Sequence, residues 1–596
     1  MVLLMVIGST ICAVSTQAQP QTEVVPGLTA DELAREKVVQ ELLDDMTLNE
    51  KIGQLYIVSF SSRQRPERLE QTKRLIRKYE LGGLILMYSD LQAAADLMNE
   101  WIDLPKIPFL MTIDAEWGLA MRFDDVVMFP QQMQLGSLAT PELVYEMGLQ
   151  VGGQLRRIGM QVNFAPDVDI NNNPLNPVIN VRSFGEDRDK VTDYAAAYLK
   201  GMQDAGIAVC LKHFPGHGDT SVDSHHALPL LDFDRARLDS LELYPFRELI
   251  RRESIDMVML GHLEVPALDP TGTPSSLSKP IVTDLLKEDM GFEGIVITDA
   301  LGMKGVANHL APEEIPLAAF QAGVDIMLMP SQAEASIKAM RKAVRKGIIA
   351  QEELDERVRK VLRMKYDLGL LPLDQPRMKI TKAALRSEIN RPEYRKLVQQ
   401  IGDQTMILFD KGRQVATSQV FPIASGKTAY LGFHPENSPE SAYLGQALNQ
   451  YAQVDEYLLP VTASHAAFLE LKEQLDREYE TVIIGIHHTH RNPQRAFGLN
   501  DWQAEAIDQW AAQEQRPDLV LAFFGIPYGV MMFNNQALME AVVIAHLNTD
   551  YNNFAVARLL NGMIQAEGVL PVTLEAIRGQ VEESDPPARD VLMDVE

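Results

Sequence analysis

The chain is poor in cysteine and in positive charge. Only two cysteines, Cys12 and Cys210, occur among 596 residues. If the amino-terminal segment is removed, Cys210 stands alone and no intramolecular disulfide is possible, so stability must come from the apolar core. Lysine and arginine number 55 against 82 aspartates and glutamates, which gives a formal net charge of −27. This balance argues against nucleic acid or an anionic membrane surface as a partner, since both demand a basic face.

Long apolar runs are absent beyond the amino terminus. Residues 1–18 form an apolar segment that ends in small and polar residues, which is typical of a secretory signal peptide, although it contains no lysine or arginine. Ile11 precedes Cys12 where a lipoprotein signal has a small residue, which favours a freed protein over a lipid-anchored one. We therefore expect a periplasmic or secreted protein with no membrane insertion after signal removal, or a cytoplasmic protein if the segment is not a signal.

Short apolar runs recur along the first two thirds of the chain, each followed by a polar loop and then a helical pattern. Continuous apolar runs fit strands that are buried on both faces. Eight such units within roughly 300 residues predict a (β/α)8 barrel of the TIM type. The eight predicted strands are residues 54–60, 83–87, 109–113, 161–165, 207–211, 257–260, 294–297 and 324–329.

A proline-rich stop signal near residues 369–376 ends the barrel pattern. Further apolar runs at 404–409, 428–433, 481–486 and 519–524 predict a smaller α/β layer domain. We expect this second domain mainly to cover barrel surface, because every catalytic candidate precedes Pro330. The predicted division is a signal peptide (1–18), a barrel (30–370), a linker (371–394), a second α/β domain (395–580) and an acidic tail (581–596).

The most distinctive polar stretch follows the fifth predicted strand. Residues 212–220 read KHFPGHGDT, and Asp223-Ser224-His225 comes directly after them. Three imidazoles, two acids and a lysine thus fall within fourteen residues. We expect the strand to end at Leu211 and the cluster to lie on a loop, because catalytic groups collect on loops at strand ends.

These residues resemble the motifs of glycoside hydrolase family 3, and within it the β-N-acetylglucosaminidase branch. Residues 295–301, IVITDAL, resemble the strand that ends in the family's nucleophilic aspartate. Residues 113–123, IDAEWGLAMRF, resemble its substrate-binding strand end, with Trp117 where glycine is often found. Residues 180–185, NVRSFG, resemble a further loop of the family. The resemblance covers residues 40–370 well and the remainder more loosely.

The resemblance implies a nucleophile and an acid/base pair. Asp299 would be the nucleophile, because it follows a strand and projects from the barrel rim. Its alternative role is the N-cap of a helix that begins near Leu301. His225 would be the general acid/base, oriented by Asp223. Residues two apart in an extended chain point to the same side, so the Asp223 carboxylate can contact the imidazole and stabilise its charged form.

A sugar site also needs hydrogen-bonding partners for hydroxyls that lose water. Lys212 and His213 resemble the family's pair that binds sugar hydroxyls, and Asp114, Arg122 and Arg182 complete the predicted ring. A surface ion pair with Glu186 or Asp187 is the alternative for Arg182. No cofactor and no metal are implied, because carboxylates, or an Asp-His couple in place of one, suffice for glycoside cleavage.

The expected activity is that of a retaining exo-β-N-acetylglucosaminidase, a β-N-acetylhexosaminidase acting on peptidoglycan fragments or chitin-type oligosaccharides through a covalent intermediate on Asp299. Carbohydrate is the partner inferred. A family 3 β-glucosidase or β-xylosidase, a glycosyl phosphorylase, and a silent sugar-binding protein stay open as alternatives. So does a metal-dependent hydrolase using His487, His488 and His490, although no acid or cysteine accompanies them at ligand spacing.

Overall fold

The computed structural model describes residues 29–222, 227–307, 309–374, 376–423, 427–435 and 442–574. Three predicted features lie outside the described residues: the signal peptide (1–18), the pair Asp223 and His225, and the acidic tail (581–596). Of the helices in the described ranges, none combines the length and apolar character that a bilayer crossing requires.

The first part of the chain forms an eight-stranded parallel barrel, as the apolar runs predict. The strands pair in the order β7, β6, β5, β4, β3, β2, β1, β8, and a bridge between Ile297 and Ile326 brings the two ends together. Every described residue of these strands is buried except Ser59. The bounds are β1 Tyr56–Phe60, β2 Gly83–Leu86, β3 Leu110–Ile113, β4 Val162–Asn163, β5 Ala208–Phe214, β6 Met257–Leu260, β7 Ile295–Thr298 and β8 Met327–Leu328.

Helices cover the outer face of the barrel, which is why its strands read as continuous apolar runs. Several begin at side chains that accept a backbone N–H; Asp187, for example, caps the helix that follows it. A π-type helix spans Pro280–Asp289. The α-helices are α1 Ala30–Asp45, α2 Leu48–Gly53, α3 Pro66–Tyr79, α4 Leu91–Trp101, α5 Gln132–Leu135, α6 Glu142–Arg157, α7 Arg188–Asp204, α8 Arg235–Ser240, α9 Tyr244–Arg252, α10 Lys304–Ala307, α11 Ile315–Ala322, α12 Ala333–Arg345 and α13 Gln351–Asp367.

Strand β5 is longer than predicted. It continues through Phe214 rather than ending at Leu211, so Lys212 and His213 lie within the strand and not on a loop. Phe214 still pairs with Leu260 of β6, after a register shift that begins at Leu211. The prediction ended the strand too early because polar residues interrupt its apolar run. Inside the barrel, those polar side chains find buried partners.

A second sheet follows the barrel, confirming the predicted α/β domain. Its strands are ordered β10, β9, β15, β14, β13, β11, β12, and β9 and β10 run antiparallel to their neighbours. The prediction missed β10, β12 and β15, because β10 and β12 are edge strands with exposed polar residues and β15 is short. The elements are β9 Ile407–Asp410, β10 Arg413–Val415, β11 Thr428–His434, α16 Ala442–Leu448, β12 Val454–Pro460, α17 His465–Glu478, β13 Thr481–Ile486, α18 Gln503–Ala511, β14 Asp518–Phe523, β15 Ala541–Ile544 and α19 Asp550–Leu560.

The predicted linker lies against the barrel. Asn99 accepts a hydrogen bond from the Ile380 N–H at 2.7 Å, and Gln154 donates to the Ile389 carbonyl at 2.8 Å. The segment contains α14 Leu385–Glu388 and leads into α15 Pro392–Gln404, which begins at a proline. The exact limits of the domains stay a prediction.

Candidate active site

Polar and charged residues collect at the carboxyl end of the barrel strands. Asp114 follows β3, Lys212 and His213 lie near the end of β5, and Asp299 follows β7. Parallel strands of a barrel all finish at the same rim, and this rim carries the active site in TIM-barrel enzymes. The structure therefore places Asp114, Lys212, His213 and Asp299 at the same end of the barrel.

The first part of the site is an ion network around Asp114. Arg122 Nη2 donates to Asp114 Oδ2 at 2.9 Å, and Lys212 Nζ donates to Asp114 Oδ1 at 3.0 Å. Lys212 Nζ also lies 2.8 Å from Glu116 Oε1. Burial alone would raise the pKa of Asp114, but the charges of Lys212 and Arg122 outweigh it and hold that pKa below its ordinary value. Asp114 is therefore an ionised acceptor.

Glu116 joins this network to Arg182. Two guanidinium nitrogens of Arg182 contact the carboxylate, with Nε 3.0 Å from Oε2 and Nη2 2.8 Å from Oε1. Burial disfavours the charge, yet Arg182 and Lys212 lower the pKa of Glu116. Because the partner of Arg182 is a fully buried carboxylate, the ion pair with Glu186 or Asp187 that the sequence left open is not the one that holds this side chain.

His213 holds Arg182 from the other side. Arg182 Nη2 lies 3.2 Å from His213 Nε2, and His213 Nδ1 lies 2.8 Å from Asp169 Oδ2. A guanidinium can only donate, so His213 Nε2 is the acceptor and Nδ1 donates to the carboxylate. Burial opposes ionisation of Asp169, but the hydrogen bonds from the His213 ring and from the His217 N–H lower its pKa. Both ring nitrogens of His213 are thus engaged in positioning Arg182.

Side-chain exposure separates two roles within the network. Asp114, Arg122 and Arg182 retain 20%, 15% and 13% of their side-chain surface, whereas Lys212 retains 2% and Glu116 none. The three partly exposed groups can therefore meet a ligand directly. Lys212 and Glu116 lie behind them and fix their positions.

Asp167, Asp169 and His213 offer ligand atoms that lie within 4.8 Å of one another, and theirs is the one such cluster found among the described residues. The Arg182 guanidinium lies 3.4 Å from Asp167 Oδ2, so an arginine already supplies positive charge there. Burial and the neighbouring Asp169 raise the pKa of Asp167 well above its ordinary value. A neutral acid beside an arginine fits a cation poorly, and we assign these three residues to the support of Arg182.

Asp299 lies at the carboxyl end of β7 and is half-buried. Its N–H donates to the Leu260 carbonyl at 2.9 Å, and its Oδ1 accepts from the Ala300 N–H at 2.7 Å. His262 Nε2 lies 3.1 Å from the Ala300 carbonyl, and its Nδ1 lies 2.7 Å from Ser276 Oγ. His262 is therefore a packed histidine that supports the backbone beside Asp299.

The loop after β5 is held closely to the barrel. The His217 N–H donates to Asp169 Oδ1 at 2.6 Å, and Thr220 Oγ1 lies 2.8 Å from His217 Nδ1. A Cβ on Gly218 would lie 1.8 Å from the Ile170 carbonyl oxygen, so only glycine fits. Burial lowers the pKa of His217 to about 4. The predicted acid/base pair follows this anchored loop but lies outside the described residues.

The sequence analysis missed three residues of the network: Glu116, Asp167 and Asp169. Each had an available signal. Glu116 stands two residues after Asp114, and the other two acids lie two and four residues after the end of the predicted strand 161–165. A search for acids within about four residues of the carboxyl end of a predicted strand would therefore have found them.

The sequence profile of the glycosyl hydrolase family 3 N-terminal domain matches residues 47–364. That range contains β1 to β8 and every predicted site residue. The chain belongs to glycosyl hydrolase family 3. This membership confirms the resemblance that the motifs indicated.

Relatives of this family 3 protein include two curated beta-hexosaminidases. Beta-hexosaminidase A of Pseudoalteromonas piscicida is 28% identical over 561 residues, covering 85% of this chain and 91% of the relative. Beta-hexosaminidase LpqI of Mycobacterium tuberculosis is 33% identical over 332 residues, covering 53% and 82%. The solved family 3 beta-N-acetylglucosaminidase of Paenibacillus sp. str. FPU-7 matches with a TM-score of 0.75 at 30% identity, covering 89% of this chain and 99% of that one. The similarity therefore includes the second domain.

Within the described part of this family 3 protein, His487, His488 and His490 are not among the groups whose ligand atoms lie close enough to hold a metal ion. His487 is buried, with Nε2 2.6 Å from the Tyr430 hydroxyl and Nδ1 3.0 Å from Asn548 Oδ1. His488 Nε2 lies 2.9 Å from Gln503 Oε1. The two rings thus face different partners, which removes the geometric basis for a hydrolase built on this cluster.

A cavity of about 1380 Å³ opens at the opposite end of the barrel. It is lined by residues at the amino-terminal starts of the strands, including Phe109, Ala208 and Ile295. Residues at the amino-terminal end of a TIM barrel usually contribute to stability, whereas catalytic residues lie at the carboxyl-terminal end. We therefore place the active site at the carboxyl rim, where the family's motifs converge.

Proposed function

We propose that this family 3 glycoside hydrolase is a retaining exo-β-N-acetylglucosaminidase. The observation that carries the proposal is the placement of Asp299. It stands half-buried on the same rim as a ring of charged hydrogen-bonding groups formed by Asp114, Arg122 and Arg182. A nucleophilic carboxylate beside such a ring is what a sugar glycoside requires. The relatives named beta-hexosaminidase and beta-N-acetylglucosaminidase support the N-acetylglucosaminide as substrate.

The proposed reaction has two steps. In the first, an Asp299 carboxylate oxygen bonds to the anomeric carbon while His225 gives its proton to the departing glycosidic oxygen. Asp223 stabilises the imidazolium that carries this proton. In the second, His225 takes a proton from water, the water oxygen bonds to the anomeric carbon, and the bond from that carbon to Asp299 breaks. The roles of His225 and Asp223 rest on the sequence motif.

The partly exposed ring binds the sugar in this proposal. Asp114 accepts hydrogen bonds, Arg122 and Arg182 donate them, and charged groups form the stronger bonds with hydroxyls. Lys212 and His213 contribute by holding these groups in place. We further propose that the enzyme is exported, as residues 1–18 predict. Its substrates would then be peptidoglycan fragments or chitin-type oligosaccharides outside the cytoplasm.

A chromogenic assay tests the activity. The full chain should cleave a nitrophenyl N-acetyl-β-glucosaminide far faster than the matching β-glucoside. Asp299→Asn should abolish turnover and keep the fold, because the amide oxygen can still accept from the Ala300 N–H but cannot attack carbon. Asp256→Asn is the matched control, since Asp256 binds the Val209 N–H at the amino-terminal end of the barrel.

Three results would contradict the proposal. Faster cleavage of the glucoside would indicate a β-glucosidase. A sugar phosphate as the main product in the presence of inorganic phosphate would indicate a phosphorylase. Sugar binding without turnover would indicate a silent binding protein.

A further inference from the structure

The loop that carries Arg182 contacts both the candidate active site and the second domain. Arg182 ends a single helical turn, Asn180–Arg182, and reaches Glu116 and His213 in the candidate active site. Its neighbour Val181 is only 9% exposed and belongs to the buried apolar cluster of the second domain, together with Phe497 and Tyr528. In this one turn, the Arg182 side chain is therefore fixed by the candidate active site and the adjacent Val181 side chain by the second domain.

Polar contacts tie the same loop to the second domain. Asn180 Nδ2 donates to the Arg491 carbonyl at 2.7 Å, and the Tyr528 hydroxyl donates to the Asn171 carbonyl at 3.1 Å. Asn180 is buried and has a φ of 45°, a left-handed conformation that asparagine tolerates better than most residues. Its side chain thus fastens a turn whose backbone already has little freedom.

The end of the loop is also clamped. The Glu186 N–H donates to the Pro571 carbonyl at 3.0 Å. A Cβ on Gly185 would lie 2.3 Å from the same carbonyl oxygen, so the two chains are in direct contact. The sequence predicted that the second domain mainly covers barrel surface. These contacts show that it also packs against the loop that carries Arg182.

We propose that the second domain positions the sugar-binding arginine. Asn180, Val181 and Tyr528 are positioning residues: they hold the turn so that the Arg182 guanidinium stays on Glu116 and His213 with one edge toward the ligand. The inference rests on the proposed function, because it takes the ligand of Arg182 to be the sugar. It makes the two domains parts of one binding site.

Kinetics of single variants test this role. Tyr528→Phe removes one hydrogen bond between the domains. Asn180→Gly removes another, together with a 3.2 Å bond to the Asn176 carbonyl inside the loop, while tolerating the positive φ. Each should raise KM for the nitrophenyl N-acetylglucosaminide about threefold to tenfold, the effect of one lost hydrogen bond, with kcat within about twofold. Tyr479→Phe is the matched control, because its hydroxyl donates to Asp455 within the second domain. It should leave both constants unchanged.

A double-mutant cycle asks whether the effect passes through Arg182. In an Arg182→Lys background, Tyr528→Phe should raise KM by less than twofold, because the guanidinium group that the turn positions is already absent. Full additivity, or Tyr528→Phe and Asn180→Gly variants that match Tyr479→Phe, would overturn the positioning role while the wild-type activity stands. Absence of wild-type cleavage would instead overturn the proposed function.

Discussion

Glu116 is the residue on which the charged ring depends. It is fully buried and contacts both Lys212 and Arg182, so removing its charge leaves Arg182 without its bidentate partner and leaves the buried Lys212 with Asp114 as its remaining ionised contact. We predict that Glu116→Gln lowers the free energy of unfolding by about 3–5 kcal/mol, the range for breaking a buried ion pair. Chemical denaturation measures this directly.

The matched control is Glu70→Gln. Glu70 also contacts a lysine, Lys73, at 2.7 Å, but 56% of its side chain is exposed. Solvent screens such an exposed pair, so this variant should differ little from wild type in its free energy of unfolding. Equal losses for both variants would show that the Glu116 network is not a buried ion pair in solution.

His225 is expected to matter most when the leaving group is poor. A nitrophenolate departs without protonation, whereas a sugar alkoxide needs the acid. His225→Ala should therefore reduce kcat/KM far more for disaccharides than for nitrophenyl glycosides, and Asp223→Asn should follow the same pattern more mildly. Azide should restore activity to the His225 variant by attacking the intermediate. Equal losses on both substrates, without azide rescue, would remove His225 from the acid/base role.

At the scale of elements, the loop after β5 depends on close backbone packing. Because a Cβ on Gly218 would lie 1.8 Å from the Ile170 carbonyl oxygen, Gly218→Ala must displace the loop that leads to Asp223 and His225. We predict a loss of about tenfold to 100-fold in kcat/KM, as small displacements of catalytic groups cause. Gly153→Ala in α6 is the control, because its nearest contact is the Tyr394 hydroxyl at 3.2 Å. Equal activity of the two variants would contradict this account.

Periodic apolar runs predicted all eight barrel strands, because strands buried on both faces have a strong sequence signal. The same signal placed the end of β5 too early, because buried polar residues continue that strand, and it missed the exposed edge strand β12. Asp299 and Arg182 were found through motifs. Glu116, Asp167 and Asp169 were missed although each lies shortly after a predicted strand, because the motif resemblance assigned them no role. Contacts between distant segments, such as those of Val181 and Tyr528, leave no local pattern.

Buried histidines couple the stability of the whole molecule to pH. Burial lowers the pKa of His217, His487 and His546 to about 4, against an ordinary value of 6.5. The unfolded chain therefore takes up protons between pH 6.5 and 4 that the folded chain does not, and stability falls as pH falls through that window. Thermal unfolding should show a lower Tm at pH 5 than at pH 7.

His546 isolates one of these contributions. Its φ of 59° suits asparagine, so His546→Asn keeps the backbone and removes the titrating ring. The difference in Tm between pH 7 and pH 5 should shrink in this variant. His465→Asn, at an exposed position, should leave the difference unchanged. An unaltered pH dependence in the His546 variant would exclude this histidine as a source.

Asp299 is expected to form a covalent bond to the anomeric carbon of N-acetylglucosamine during turnover. A fluorinated N-acetylglucosaminide that traps the intermediate should inactivate the full chain, and mass spectrometry of a digest should place the added sugar on Asp299. The Asp299→Asn variant should remain unlabelled. A label on any other residue would contradict the mechanism. So would an enzyme that cleaves the unfluorinated glycoside but takes up no label from the fluorinated one.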